Sequence, residues 1–271
     1  MTGPSLELVD ALLTRIAAWR AGQRGLFVLG ICGAQGSGKS TLVARLAERL
    51  AGLGVTVATL SLDDLYLTRM ERQRLAREVH PLLATRGVPG THDISLGLAT
   101  LDALARGEAA ALPRFDKAAD DRVPMQLWPQ APANLQVLLL EGWCLGARPQ
   151  SAAALVEPVN ALERDDDPAV SWRTYANAAL GGAYQHLFAR LDRLVLLAAP
   201  DWAVVAQWRE QQEAELRSRS GDGGANGAGV MTPAQVTRFI QHYERLTRHI
   251  LTEMPGRADL TVQLDRQRRV L

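Results

Sequence analysis

Eight residues, Gly33-Ala-Gln-Gly-Ser-Gly38-Lys39-Ser40, constrain this chain more than any others. They have the spacing G-x-x-x-x-G-K-[ST], directly after the apolar run 26–32 and directly before Leu42, Leu46 and Leu50 at helical spacing. A strand, a glycine-rich loop and a helix in that order form the context in which this spacing builds a phosphate cradle. Gly33, Gly36 and Gly38 let the backbone through Ala34, Gln35 and Ser37 wrap an anion with several N–H groups turned inward. Lys39 supplies a point charge for the β- and γ-phosphates and Ser40 a hydroxyl for Mg²⁺. Thr41 follows in the first helical turn, whose positive dipole end faces the same anion. The plainer alternative is a glycine-rich turn that holds no ligand.

Four more short apolar runs read as strands: 55–60, 137–140, 194–198 and 260–264. Helical periodicity falls between them, over 5–20, 69–80, from Thr91 or Asp93 onward, 171–190, 201–217 and from Thr232 to the last strand. Strands alternating with helices predict an α/β fold, a five-stranded, mostly parallel sheet with helices on both faces. The chain reads as one domain over 1–271. Its wide gap between strands two and three predicts an acceptor-side insertion at about 66–132, with 112–132 as an ordered loop or hairpin. The acidic stretch 163–168 reads as a turn. The glycine-rich stretch 218–229 follows a charged helix, so a lid is expected over about 200–232.

Composition removes several function classes. With 30 basic and 29 acidic residues the net charge is +1, against the strongly basic balance (pI above about 9) of a nucleic-acid binder. No apolar run approaches the roughly 18–20 residues that span a bilayer, and the N-terminal 15 residues lack a signal peptide's basic start. A cytoplasmic protein is expected. Cys32 and Cys144 lie in apolar contexts and make no disulfide framework. His80, His186, His242 and His249 show no metal-ligand spacing, and the tryptophans read as packing residues.

A nucleotide site that transfers phosphate to a hydroxyl needs an acid near the metal and a base for the acceptor. Asp63 and Asp64 follow strand two, at the sheet edge where open α/β folds bind ligands. One of them could instead cap the next helix, and Asp63 is the candidate base. Glu141 ends the apolar run 137–140, in the position of a metal-side acid; its alternative is a helix cap or a salt-bridged loop acid. Arg209, on the helix leading into the glycine-rich stretch, is the candidate for neutralising transferred phosphate, while Arg217 and Arg219 read as solvated charges. Arg86 to Asp93, with Arg114 and Lys117, offers a turn of fixed shape for a small anion.

Ser61-Leu-Asp-Asp-Leu-Tyr66, Arg86-Gly-Val-Pro-Gly-Thr-His-Asp93, Pro113-Arg-Phe-Asp-Lys117, Glu141-Gly-Trp143 and Trp208-Arg209 follow the glycine-rich loop in order. Together they resemble the glycerate 3-kinase family of plants and its fungal and bacterial relatives, within the wider group of uridine kinase, phosphoribulokinase and bacterial pantothenate kinase. The resemblance runs from about residue 26 to the C-terminus. It implies a P-loop NTPase fold and an ATP- and Mg²⁺-dependent kinase acting on a small hydroxy acid, D-glycerate first. It also implies an acceptor site near Asp63, Tyr66, Arg86, His92 and Arg114, with Glu141 by the metal or acceptor. Leu65 stands where the family usually has Phe. Kinases for a nucleoside or pantothenate, and an ATP-binding regulatory protein without transfer activity, are the rival readings.

Overall fold

The computed structural model describes residues 6–220 and 232–271. In chain order it forms α1 (Leu6–Arg20), β1 (Phe27–Gly33), α2 (Lys39–Gly52), β2 (Val57–Ser61), α3 (Arg69–Glu78), α4 (Ile94–Ala105), β3 (Val137–Gly142), α5 (Ala161–Asp166), α6 (Ser171–Gly181), α7 (Ala183–Phe188), β4 (Arg193–Ala198), α8 (Trp202–Ser220), α9 (Pro233–Glu253) and β5 (Leu260–Gln263). Strand order is β2-β3-β1-β4-β5, and every neighbouring pair is parallel.

Both faces of the sheet are apolar, so its strands read as nearly unbroken hydrophobic runs. Val28 and Cys32 of β1, Leu138 and Leu140 of β3, and Leu194 and Leu196 of β4 pack on one side with Leu101 of α4, Leu187 of α7 and Ile250 of α9. The alternate residues Leu29, Ile31, Leu139, Val195 and Leu197 pack on the other with Leu12 of α1, Leu42 and Leu46 of α2, and Val205 and Trp208 of α8. Each buried aliphatic side chain contributes about 1.5–3 kcal/mol, so the sheet is fixed from two sides. Register places Glu141 opposite both Ile31 and Ser61. The carboxyl ends of β1, β2 and β3 are therefore level, and whatever leaves them meets at one edge.

The segment between β2 and β3 forms α3, α4 and two short antiparallel ladders, Ala110–Ala111 with Gln130–Ala131 and Phe115–Asp116 with Asp121–Arg122. Two expectations are corrected. The helix expected over 171–190 breaks where Gly182 takes φ −98° and ψ −117°, outside the helical region. The acidic stretch 163–168 lies largely in α5, whose first turn is capped by Asn160 and whose Glu163 is buried against Arg245. Most of the stretch expected as the lid's glycine-rich tip lies outside the described residues, as do the side chains of Arg217 and Arg219. No described helix is long and apolar enough to cross a membrane.

Candidate active site

The loop between β1 and α2 turns through Gly36 (φ 77°) and Gly38 (φ 88°), in the left-handed region that glycine enters without strain. Room is also short. A Cβ at Gly33 would lie 2.7 Å from Ser37 Oγ, and one at Gly36 would lie 2.8 Å from the Trp208 Cβ. Ser37 N donates to the Ala34 carbonyl (3.2 Å) and Leu42 N to that of Gly38 (3.0 Å), closing the loop over the start of α2. The first amides of a helix have no intrahelical acceptor. They point with the helix's positive end into a cavity of about 470 Å³.

Gln35, Gly36, Gly38, Lys39, Ser40 and Thr41 line that cavity, while Gly33, Ala34 and Ser37 form the turn beneath. Ser40 Oγ donates to Glu141 Oε1 at 2.9 Å, and Lys39 Nζ stands 3.9 Å from Glu141 Oε2. That second oxygen is buried without a hydrogen-bond partner. A hydroxyl beside a carboxylate with an oxygen that no hydrogen bond takes suits Mg²⁺. This ion usually takes one or two protein oxygens and fills its octahedron with phosphates and water.

The paired aspartates have separate roles. Ser61 caps the short turn 62–65, and Asp64 closes it by accepting Ser61 N at 3.2 Å. Asp64 also takes Arg114 Nη1 (3.2 Å), so it builds the turn. Asp63 reaches the cavity, with Tyr66 OH at 2.6 Å on Oδ1 and Lys117 Nζ at 2.6 Å on Oδ2. Burial would raise its pKa, but Lys117 and Lys39, with the hydrogen bonds from Lys117 and Tyr66, outweigh burial and hold the carboxyl below its ordinary value. Burial pushes the Tyr66 phenol well up, so it stays a donor.

Arg86 also lines the cavity. Its guanidinium pairs with Asp120, donates to the Lys117 carbonyl at 3.3 Å and lies 5.6 Å from the Phe115 ring centroid. Arg72, fully buried, holds the same Asp120 at 2.7 Å and reaches the same ring. The backbone at Arg86 and Gly87 is pinned as well: Tyr243 OH donates to the Arg86 carbonyl and Trp143 Nε1 to that of Gly87, each at 2.9 Å. Arg209 lines the cavity too, paired with Glu213 and 5.4 Å from the Phe239 ring centroid.

Two residues expected at the acceptor stand behind the wall. His92 is buried, its Nδ1 is 2.6 Å from Tyr184 OH, and burial lowers its pKa to about 4. Its ring lies 4.7 Å from that of Tyr66, so it supports the wall. Arg114 is spent on Asp64 and on the Thr59 and Pro113 carbonyls.

The cavity also takes in Arg45, Trp143, Gln212, Phe239, Tyr243 and Arg268, none of which stood out as site residues. Trp143, Phe239 and Tyr243 read as core because their neighbours are apolar. Arg268 has φ 66°. It donates from Nε to the Gly36 carbonyl at 2.6 Å and lies 5.1 Å from the Trp208 ring centroid. No local pattern marks it.

A parallel β2-β3-β1-β4-β5 sheet, a phosphate-binding loop after the central strand and an acid at the end of its neighbour define a P-loop kinase. The profile of the phosphoribulokinase/uridine kinase family matches residues 28–156. The chain is 34% identical over 250 residues to the uncharacterized kinase mug58 of Schizosaccharomyces pombe, with 88% of this chain and 86% of that one covered. It is 32% identical over 256 residues to the chloroplastic D-glycerate 3-kinase of Arabidopsis thaliana, with 89% of this chain and 53% of the plant protein covered. The D-glycerate 3-kinase structure from Cryptococcus neoformans superposes with a TM-score of 0.79 at 26% identity, over 98% and 96% of the two chains. The chain belongs to the glycerate 3-kinase family.

Proposed function

We propose that this chain is a single kinase domain that uses Mg²⁺-ATP to phosphorylate a hydroxyl of D-glycerate, giving 3-phosphoglycerate, with residues 200–232 as its lid. The observation that carries the reading is the position of Asp63. It is an ionised carboxylate on the same cavity as Lys39 and Ser40, with Lys117 on one of its oxygens and Arg86 lining the same cavity. A phosphate cradle alone would serve a switch as well as a kinase. A base facing it, in a cavity that also holds Arg86 and Lys117, suits an acceptor that carries a hydroxyl and a negative charge. A nucleoside offers no such charge.

Bound Mg²⁺-ATP supplies the γ-phosphoryl group and the divalent charge that offsets it. Lys39 and the loop amides hold the β- and γ-phosphates, and Ser40 with Glu141 holds the metal. Arg86 and Tyr66 orient the acceptor. Asp63 accepts the proton of the attacking hydroxyl, which general-base catalysis turns into a rate gain of about 10²–10⁴. Arg209 adds positive charge to the cavity wall, to meet the negative charge that a loose phosphoryl-transfer transition state spreads.

An ADP-release assay with D-glycerate, L-glycerate, uridine and pantothenate, and with Lys39→Ala as control, tests the reading. Turnover that depends on D-glycerate and vanishes in the control is expected. Turnover with uridine or pantothenate alone moves the acceptor to that class. ATP binding without turnover on any acceptor favours the regulatory reading.

A further inference from the structure

Lys117 Nζ sits 2.6 Å from one oxygen of Asp63 while the Tyr66 hydroxyl sits 2.6 Å from the other. Each oxygen of the candidate base thus carries a donor before any acceptor arrives. The two donors differ. Tyr66 is buried, with its ring edge-on to Phe115 at 5.1 Å and tilted against His92. Lys117 is 59% exposed, on a long side chain that solvent can accept. Ion pairs this exposed are weak and salt-sensitive, so Lys117 is the partner that can leave.

Its backbone stays in place. Arg86 Nη2 donates to the Lys117 carbonyl at 3.3 Å, Ala118 N and Ala119 N donate to Asp116 Oδ1 at 2.8 and 3.2 Å, and Phe115 pairs with Arg122 in a short ladder. Departure from Asp63 therefore needs only side-chain rotation. The Arg86 contact also sets the destination, because an anion held by that guanidinium lies next to residue 117. Asp120 and buried Arg72 fix Arg86 there from behind.

We propose that Lys117 is a removable guard on Asp63, drawn off by the carboxylate of the acceptor, so that the base is released only when an anionic acceptor is seated at Arg86. The inference rests on reading Asp63 as the base. With Lys117 on Asp63, a water in the cavity finds both carboxylate oxygens already engaged. With Lys117 on the acceptor carboxylate, Asp63 regains a free oxygen. It then takes the proton of the attacking hydroxyl as the oxygen bonds to the γ-phosphorus. The bond from that phosphorus to the β-bridging oxygen breaks, and its electron pair leaves with ADP. The guard makes a negative charge on the acceptor a condition for transfer and suppresses loss of ATP to water.

Phosphate release from Mg²⁺-ATP without any acceptor tests this directly. Lys117→Met is expected to hydrolyse ATP about 1.5-fold to fivefold faster than the wild type, the factor that corresponds to breaking an exposed ion pair. Lys117→Arg is expected to stay as slow as the wild type. Propionate, a carboxylate with no hydroxyl to phosphorylate, is expected to accelerate wild-type hydrolysis by a similar factor and to leave Lys117→Met unchanged. Hydrolysis by Lys117→Met at the wild-type rate, or a wild type indifferent to propionate, overturns the proposal. If Lys117→Met does not fold, the propionate arm on the wild type alone decides. None of these readouts depends on D-glycerate being the acceptor. Its absence from the acceptor panel would overturn that assignment and leave the guard intact.

Discussion

Gly36→Ala separates two contributions to the phosphate loop. The position has φ 77°, where an alanine costs about 1–2 kcal/mol relative to glycine. The added methyl would lie 2.8 Å from the Trp208 Cβ and 3.4 Å from its backbone carbon and oxygen. Those atoms belong to the body of α8 and cannot rotate away. Trp208 is itself 1% exposed and held by its Nε1–H on the Arg266 carbonyl at 2.8 Å. Overpacking of this kind costs about 1–3 kcal/mol, so the two effects together reach roughly 2–5 kcal/mol. At roughly 2–4 °C per kcal/mol for a chain of this size, the thermal midpoint should fall by about 4–20 °C. Relief of the clash moves either the loop or α8, and both carry groups that face the nucleotide cavity. Nucleotide affinity, read by titrating intrinsic tryptophan fluorescence, should fall with the midpoint. Gly52→Ala is the control, at a position with nothing within 4 Å of the added carbon. It should be neutral or slightly stabilising. A Gly36→Ala protein that melts with the wild type and binds ATP as tightly would refute the reasoning, since the loop would then not need contact with α8.

Asp63→Asn should keep nucleotide binding and lower kcat by about 10²–10⁴; a near-normal kcat in single-turnover experiments removes Asp63 as the base. Glu141→Gln should raise the Mg²⁺ concentration for half-maximal activity about 10–100-fold, by analogy with other residues that support a metal, and a metal titration that superposes on the wild type rejects the site. His92 and His242 are held neutral by burial, each with its pKa lowered to about 4 from the ordinary value near 6.5. The unfolded chain binds protons at these sites between about pH 6.5 and pH 4 and the folded chain does not, so stability is complete above that window and lost as pH falls through it. Each site contributes about 3 kcal/mol by linkage. Urea midpoints from pH 7 to pH 4.5 should decline, and His242→Gln should decline less steeply. Equal slopes for the two proteins would contradict this.

The parts legible in the sequence are those with local causes. Each sheet strand is a short apolar run, and the phosphate loop is a glycine pattern whose φ angles follow from its residues. Asp63 and Glu141 could be found because a strand's end fixes where the next side chain stands. The sequence singles out Asp63 as the candidate base and allows one of the pair a capping role, which Asp64 takes with Ser61. The second commitment of Asp64, to Arg114 fifty residues on, has no local sign. His92 and Arg114 carry acceptor-like chemistry, but Tyr184 takes the Nδ1 of His92, whose Nε2 is buried without a hydrogen-bond partner, and Asp64 takes Arg114. Tyr243 illustrates the opposite case: it belongs to an apolar helix face and yet fixes Arg86 through one hydroxyl. In each case a distant partner decides the role, and spacing along the chain carries no record of distant partners.

The hydrogen bond from Arg268 to the Gly36 carbonyl joins residues 232 positions apart. A ribosome adds about 5–20 residues per second, so the nascent loop waits roughly 10–50 s for this brace after it has itself been made. The turn that presents Arg268 forms late as well, with Asp265 accepting the Gln267 and Arg269 amides at 2.8 and 2.9 Å. During synthesis the β1 strand and the start of α2 exist before the segment around Arg268 that steadies the loop between them. Completion of the nucleotide site is thereby tied to translation of a residue far downstream of it.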